Sequence, residues 1–171
     1  MSFKRAIDFS LGWEGGYVDD PEDPGGETNY GISKRAHPAE NIKGLTVADA
    51  SRIYEETYWA RTGGLLEGPS EGSGGALAAA LLDFGIHSGV SRAVAELQRF
   101  VGAEPDGVVG PRTKLAIRLK ADELLAMALV ERRSRYLERV LTAQPELRKY
   151  EKGWRARLDS LASCIQHRRF G

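Results

Sequence analysis

Ala76-Leu77-Ala78-Ala79-Ala80-Leu81-Leu82-Asp83-Phe84-Gly85-Ile86-His87-Ser88 is apolar almost all the way round a helix. A helix without a polar face belongs in the middle of a fold, covered by other elements. The covering elements can be read on both sides of it. Upstream, Phe3, Ile7 and Leu11 recur at four-residue spacing with Ala6 and Phe9 beside them, the stripe of an amphipathic helix over residues 3–13 that Gly15-Gly16 ends. Thr46 with Asp49 makes a capping-box pattern, and Val47, Ala50, Ile53, Tyr54 and Tyr58 follow at helical spacing, predicting a second helix to residue 59. Between these two helices, residues 17–33 have no helical period and are punctuated by Pro21, Pro24, Gly25, Gly26 and Gly31. That punctuation marks a loop or small hairpin, with short strands at 17–18 and 30–32. Residues 63–75, with six glycines and Pro69, read as a long connection into the apolar helix.

Downstream, Val94, Leu97 and Val101 form the inner face of a helix over residues 91–101. Asp106-Gly107-Val108-Val109-Gly110 is a turn, and Pro111 occupies the first position of a helix running to 119. A long helix over 124–141 turns Leu125, Leu129, Arg132 or Arg133, Tyr136 and Val140 inward, Pro145 breaks it, and residues 154–165 close the chain as a last helix. The fold class is therefore mainly α, with a small loop or hairpin after the first helix.

A chain of 171 residues, 42% apolar and 28% charged, has globular proportions and the length of one domain or two small ones. The longest apolar runs, at 76–82 and 124–130, are seven residues each, far short of the ~20 needed to span a bilayer as a helix. Met1-Ser2-Phe3-Lys4-Arg5-Ala6-Ile7-Asp8 reaches an acidic residue before an apolar signal core develops, so the expectation is synthesis in the cytoplasm without a signal peptide. The single Cys164 suits a reducing compartment. The zero net charge hides an asymmetry: residues 1–111 carry 9 Lys+Arg against 17 Asp+Glu, and residues 112–171 carry 15 against 7. The basic part either attracts an anionic polymer of the cell envelope or complements the acidic part within the fold.

Three isolated histidines, at 37, 87 and 167, and one cysteine match no zinc spacing. An EF-hand loop in the acidic run Asp19-Asp20-Pro21-Glu22-Asp23 would need an oxygen donor where Pro21 sits. No phosphate-binding or serine-hydrolase motif occurs, so neither metal nor cofactor is expected. Carboxylate chemistry remains. Glu14 stands where the first helix stops, between Trp13 and Gly15-Gly16-Tyr17. A carboxyl beside aromatic surface there would favour its protonated form and could donate a proton to a glycosidic oxygen.

The stretch Glu14-Gly15-Gly16-Tyr17-Val18-Asp19-Asp20-Pro21-Glu22-Asp23-Pro24-Gly25-Gly26-Glu27-Thr28-Asn29-Tyr30-Gly31-Ile32-Ser33 closely resembles the signature of glycoside hydrolase family 108, the N-acetylmuramidases of phage endolysins and secretion-associated lysozymes. Tyr54, Tyr58-Trp59 and Asp83-Phe84-Gly85-Ile86-His87-Ser88-Gly89 extend the resemblance. His87 departs from it, since an asparagine is expected at that place. Gln98, Asp106 to Pro111, Thr113, Tyr150, Gly153 and Trp154 resemble the family's C-terminal peptidoglycan-binding module. The resemblance implies a lysozyme-like helical fold, a catalytic lobe over 1–90, a peptidoglycan-binding lobe over 91–171, and Glu14 as the catalytic residue.

It further implies Asp23 and Thr28 as partners of Glu14, by likeness to the spacing in phage lysozymes of the same superfamily. Their role would be to stabilise the oxocarbenium-like transition state and position water. Asp20 competes with Asp23. Tyr17, Tyr30 and Trp59 offer flat faces to sugar rings, and Asn29 and Gln98 are expected substrate contacts. The resulting reading is a monomeric lysozyme that cleaves the β-1,4 bond between N-acetylmuramic acid and N-acetylglucosamine, a phage endolysin acting on the wall after release. Its partners are peptidoglycan and anionic outer-envelope material, with no nucleotide or nucleic acid. The alternatives are a lytic transglycosylase and a non-catalytic peptidoglycan binder.

Overall fold

The computed structural model of the chain describes residues 3–19, 26–62, 75–118 and 120–170. In chain order they form α1 (Phe3–Leu11), an antiparallel hairpin of β1 (Thr28–Asn29) and β2 (Ile32–Ser33), α2 (Val47–Thr57), α3 (Gly75–Ser88), α4 (Val90–Val101), α5 (Pro111–Arg118), α6 (Asp122–Ala143) and α7 (Glu151–Gln166). Tight 3-10 turns at Trp59–Arg61 and Pro145–Tyr150 follow α2 and α6. The fold is mainly α, as the periodicity predicts.

The apolar helix α3 is the centre, buried from Ala76 through Gly85, with α1, α4 and α6 packed around it. Elements from both ends of the chain thus share one core, in which Ile7, Tyr54, Leu81, Leu97, Leu129 and Leu161 all belong to a single cluster. Asp122, at the start of α6, reaches across to the first turn of α3 and accepts hydrogen bonds from the backbone N–H groups of Ala76 (2.8 Å) and Leu77 (3.3 Å), satisfying donors that a helix start leaves open. The capping box of α2 forms with Thr46 and Asp49 as read.

The hairpin differs in register from the expected strands. Asn29 pairs with Ile32, and the two residues between them, Tyr30 (φ 51°) and Gly31 (φ 74°), both take left-handed conformations. Two left-handed residues make the tight turn that matches strand twist, so positions 30–31 are the turn itself. Val18 joins by an isolated bridge to Thr28. The last helix starts at Glu151, earlier than the apolar pattern indicates, because the preceding 3-10 turn leads directly into it.

Candidate active site

Glu14 lies just beyond α1, where its backbone N–H still donates to the Leu11 carbonyl at 3.3 Å. The hairpin turn leans on the next residue, the Tyr30 N–H donating to the Gly15 carbonyl at 3.1 Å. Tyr54 on α2 closes this corner by donating its hydroxyl to the Tyr30 carbonyl at 2.8 Å. Gly31 makes the approach feasible. A Cβ there would stand 2.6 Å from Glu14 Oε2 and 2.7 Å from the Tyr54 hydroxyl, closer than any stable contact. Gly31→Ala should therefore displace the carboxylate as well as strain a left-handed residue by about 1–2 kcal/mol. The expected result is at least a roughly tenfold loss of any catalysis that depends on this carboxylate, which a 1 Å misplacement readily produces, with a smaller fall in melting temperature. Wild-type rates in Gly31→Ala would show that the turn does not set the carboxylate.

Beside the Tyr54 phenol, Glu14 meets a charged partner that the sequence did not reveal. Arg157, from α7, donates from Nη1 to Glu14 Oε1 at 2.8 Å, and from Nη2 to Asp83 Oδ1 at 2.7 Å. Asp83, fully buried on α3, also accepts from Arg133 Nη1 at 2.5 Å and from the Ser10 hydroxyl at 2.9 Å. A line of alternating charge, Glu14, Arg157, Asp83, Arg133, thus runs from the site into the core. The long arm of arginine and its planar fork allow it to bridge two carboxylates, which a lysine's point charge would not do in the same geometry.

Burial opposes a charged Asp83, but the guanidinium groups of Arg133 and Arg157 outweigh it and hold the carboxyl down to about 2. Burial likewise works against the charge of Arg157, yet Asp83 and Glu14 raise its pKa above that of a free guanidinium. Burial lifts the Tyr54 phenol, reinforced by the charge of Glu14, so it acts as a neutral donor.

His87, one turn beyond Asp83, contacts the Ser88 hydroxyl at 3.0 Å through Nδ1 and meets Trp154 edge-on at 5.3 Å. Burial, with Arg133 and Arg157 nearby, pushes its imidazole down to about 4. The unfolded chain therefore takes up a proton near pH 6.5 while the folded one stays neutral, so stability is lost as pH falls from about 6.5 towards 4. Between about pH 7 and pH 5 the loss should be about 2 kcal/mol in denaturant titrations. His87→Asn should flatten this slope, and an unchanged slope would assign it to other groups.

The other expected site residues divide into two groups. Tyr17 is exposed, its hydroxyl 3.1 Å from Glu27, and Lys43 lies over its ring at 5.7 Å. Thr28 sits half-buried on β1 and donates to the Gly26 carbonyl at 3.3 Å. Tyr30 forms the turn beside Glu14 and packs partly on the core. In contrast, Asn29, Trp59 and Gln98 are occupied internally. Asn29 is buried and donates to the Ile42 carbonyl at 3.1 Å, tying the hairpin to the loop before α2. Trp59 is core, packed on Phe3 at 5.4 Å. Gln98 is buried and spends its amide on Asp106, Val108, Thr113 and the Gly107 N–H, so it shapes the turn before α5 in place of contacting substrate. Asp20 and Asp23 fall outside the described residues.

Arg157, Asp83, Arg133 and Gly31 were not singled out in the sequence as site residues. A lone acid inside an otherwise apolar helix is the signal that was available for Asp83, because a buried carboxylate needs paired charge.

Comparison with known proteins gives this geometry a family. A family model described as "Glycosyl hydrolase 108" matches residues 7–89, and one described as "Predicted Peptidoglycan domain" matches residues 92–159. The solved structure of SagA from Brucella abortus is 34% identical, with a TM-score of 0.78 over 96% of this chain and 94% of that one. The chain belongs to glycosyl hydrolase family 108. A search of curated proteins returned no match. As a family 108 protein with a peptidoglycan domain, it is a glycoside hydrolase acting on peptidoglycan. The two matched regions meet between α3 and α4. Glu14 and Asp83 come from the first region and Arg133 and Arg157 from the second, so this candidate site is built from both.

Proposed function

We propose that this family 108 hydrolase is an N-acetylmuramidase that cleaves the β-1,4 bond between N-acetylmuramic acid and N-acetylglucosamine, with Glu14 as general acid. The observation that supports this reading most strongly is the fixed Glu14 carboxyl at the meeting of α1, the hairpin turn and α7. Arg157 holds Oε1, while Oε2 makes no hydrogen bond among the described residues and faces the Gly31 turn. Oε2 is then the oxygen that carries the proton to the departing glycosidic oxygen, and the sugar left behind passes through an oxocarbenium-like state that water captures.

Asp23 would stabilise that state and Thr28 would position the water. Asp23→Asn should therefore lower turnover more than it weakens binding, and more than Asp20→Asn does. The reverse order between the two aspartates would transfer the role to Asp20. Tyr17 and Tyr30 supply sugar-facing surface. Residues 1–90 carry the chemistry and residues 91–171 retain the wall, with the exposed Arg168 and Arg169 drawing the protein to anionic outer-envelope material.

Borohydride reduction of digested peptidoglycan followed by mass spectrometry tests the bond specificity. Reduced muramic acid ends support the proposal, reduced glucosamine ends would replace it with glucosaminidase action, and anhydro-muramic ends with transglycosylation.

A further inference from the structure

Among the described residues, two clusters of ion pairs join the acidic first part of the chain to the basic second part. One is the Glu14 centre. The other lies between α4 and α6, where Glu96 is buried and accepts from Arg132 at 2.9 Å, with Arg99 at 3.1 Å and Arg139 at 3.5 Å. This second cluster lines an open cleft of about 720 Å³. Arg92 enters the same cleft and lies over the Tyr136 ring at 4.7 Å, where Arg139 approaches at 5.9 Å. Gly107 (φ +76°) also lines the cleft, and a Cβ there would stand 2.8 Å from the Ser91 carbonyl.

The charges do not balance. Four guanidinium groups line the cleft against two carboxylates, Glu96 and Asp106, and Asp106 accepts only from the neutral Gln98 amide and Val108 N–H, so a surplus of two positive charges remains. A purely structural clamp would match its charges, because surplus like charge held together works against the folded state. Arg99 and Arg139 keep about half or more of their side chains exposed, so they retain donors beyond those given to Glu96. Each guanidinium offers five N–H groups in a fork that fits a carboxylate.

We propose that this arginine cleft binds a free carboxylate of the peptide stem of peptidoglycan, holding the wall on α4 and α6 at a site separate from Glu14. The proposal rests on the peptidoglycan-hydrolase reading and adds the ligand group and its place. Tyr136 keeps Arg92 and Arg139 oriented, and Glu96 keeps the arginines together when the cleft is empty.

Calorimetry with soluble disaccharide-peptide fragments, in a Glu14→Gln background that prevents cleavage, tests it. The double variant Arg92→Gln/Arg139→Gln should bind the fragment about tenfold or more weakly, the scale of losing charged hydrogen bonds. Amidating the stem carboxylates should weaken binding to the parent protein by a similar factor and add little in the variant. The variant's melting temperature should hold or rise as repulsion is relieved.

Unchanged affinity with a lowered melting temperature would make the cluster a structural clamp and overturn the proposal. Equal binding of amidated and free fragments would overturn it too. So would a loss confined to sacculi carrying teichoic acid, which would assign the cleft to phosphate. Release of reducing ends by the unsubstituted protein reports on the hydrolase reading separately, since it requires no substitution in the cleft.

Discussion

Glu14→Gln should fold as the parent does and release reducing ends from peptidoglycan ~10²- to 10⁴-fold more slowly, the range that general-acid catalysis contributes. The amide keeps the shape of the side chain, and its oxygen can still accept from Arg157, so α7 stays docked. It has no acidic proton to give to the glycosidic oxygen. Because the missing interaction belongs to the transition state, kcat should fall while KM changes little. Turbidity loss on purified sacculi, with circular dichroism to confirm folding, reads both. A well-folded Glu14→Gln protein with parental rates would remove Glu14 from the chemistry.

Asp83→Asn should produce the largest loss of stability. Asp83 is fully buried between Arg133 and Arg157, and removing its charge leaves the buried Arg133 without its counterion and Arg157 with Glu14 alone. Breaking a buried ion pair in this way costs about 3–5 kcal/mol, which in a protein of this size lowers the melting temperature by roughly 10 °C. The parent should show the same dependence on acid. A carboxyl whose folded pKa is depressed contributes stability that is complete above its unfolded value near 4 and is lost as pH falls towards about 2.

Replacing Asp83, Arg133 and Arg157 together by leucine separates the fold from the site. Apolar packing of similar volume often restores or exceeds the stability of a buried ionic cluster, whereas Glu14 would have lost the arginine that holds it. A stable but inactive triple variant is the expected result. Full activity in it would show that Arg157 plays no part in orienting Glu14.

The central helix was legible because an all-apolar stretch admits one environment, and the amphipathic helices around it because their inner faces repeat at helical spacing. The capping box and Pro111 fixed two helix starts from single residues. The hairpin register was not legible, since it depends on Tyr30 adopting a left-handed conformation, which a tyrosine seldom does without tertiary support. Glu14 was singled out by its position at a helix end together with the likeness of its glycine-rich sequel to the family signature.

Its partner Arg157 lies 143 positions away, and no local pattern announces a contact that distant. Gln98 and Trp59 went astray for a common reason: a polar or aromatic side chain looks the same in sequence whether it serves a ligand or an internal partner. Only the backbone around it decides. The arginine cleft was written in the spacing of Arg92, Glu96 and Arg99 and of Arg132, Tyr136 and Arg139, two helix faces whose meeting the sequence alone does not reveal.

Digestion of peptidoglycan in heavy-oxygen water, followed by mass spectrometry of the new chain ends, tests most directly whether Glu14 drives hydrolysis at muramic acid. The parent protein should place one heavy oxygen on each newly formed reducing end of N-acetylmuramic acid, and Glu14→Gln should yield almost none. Unlabelled anhydro-muramic ends, or labelled ends appearing at the parental rate with Glu14→Gln, would contradict the account.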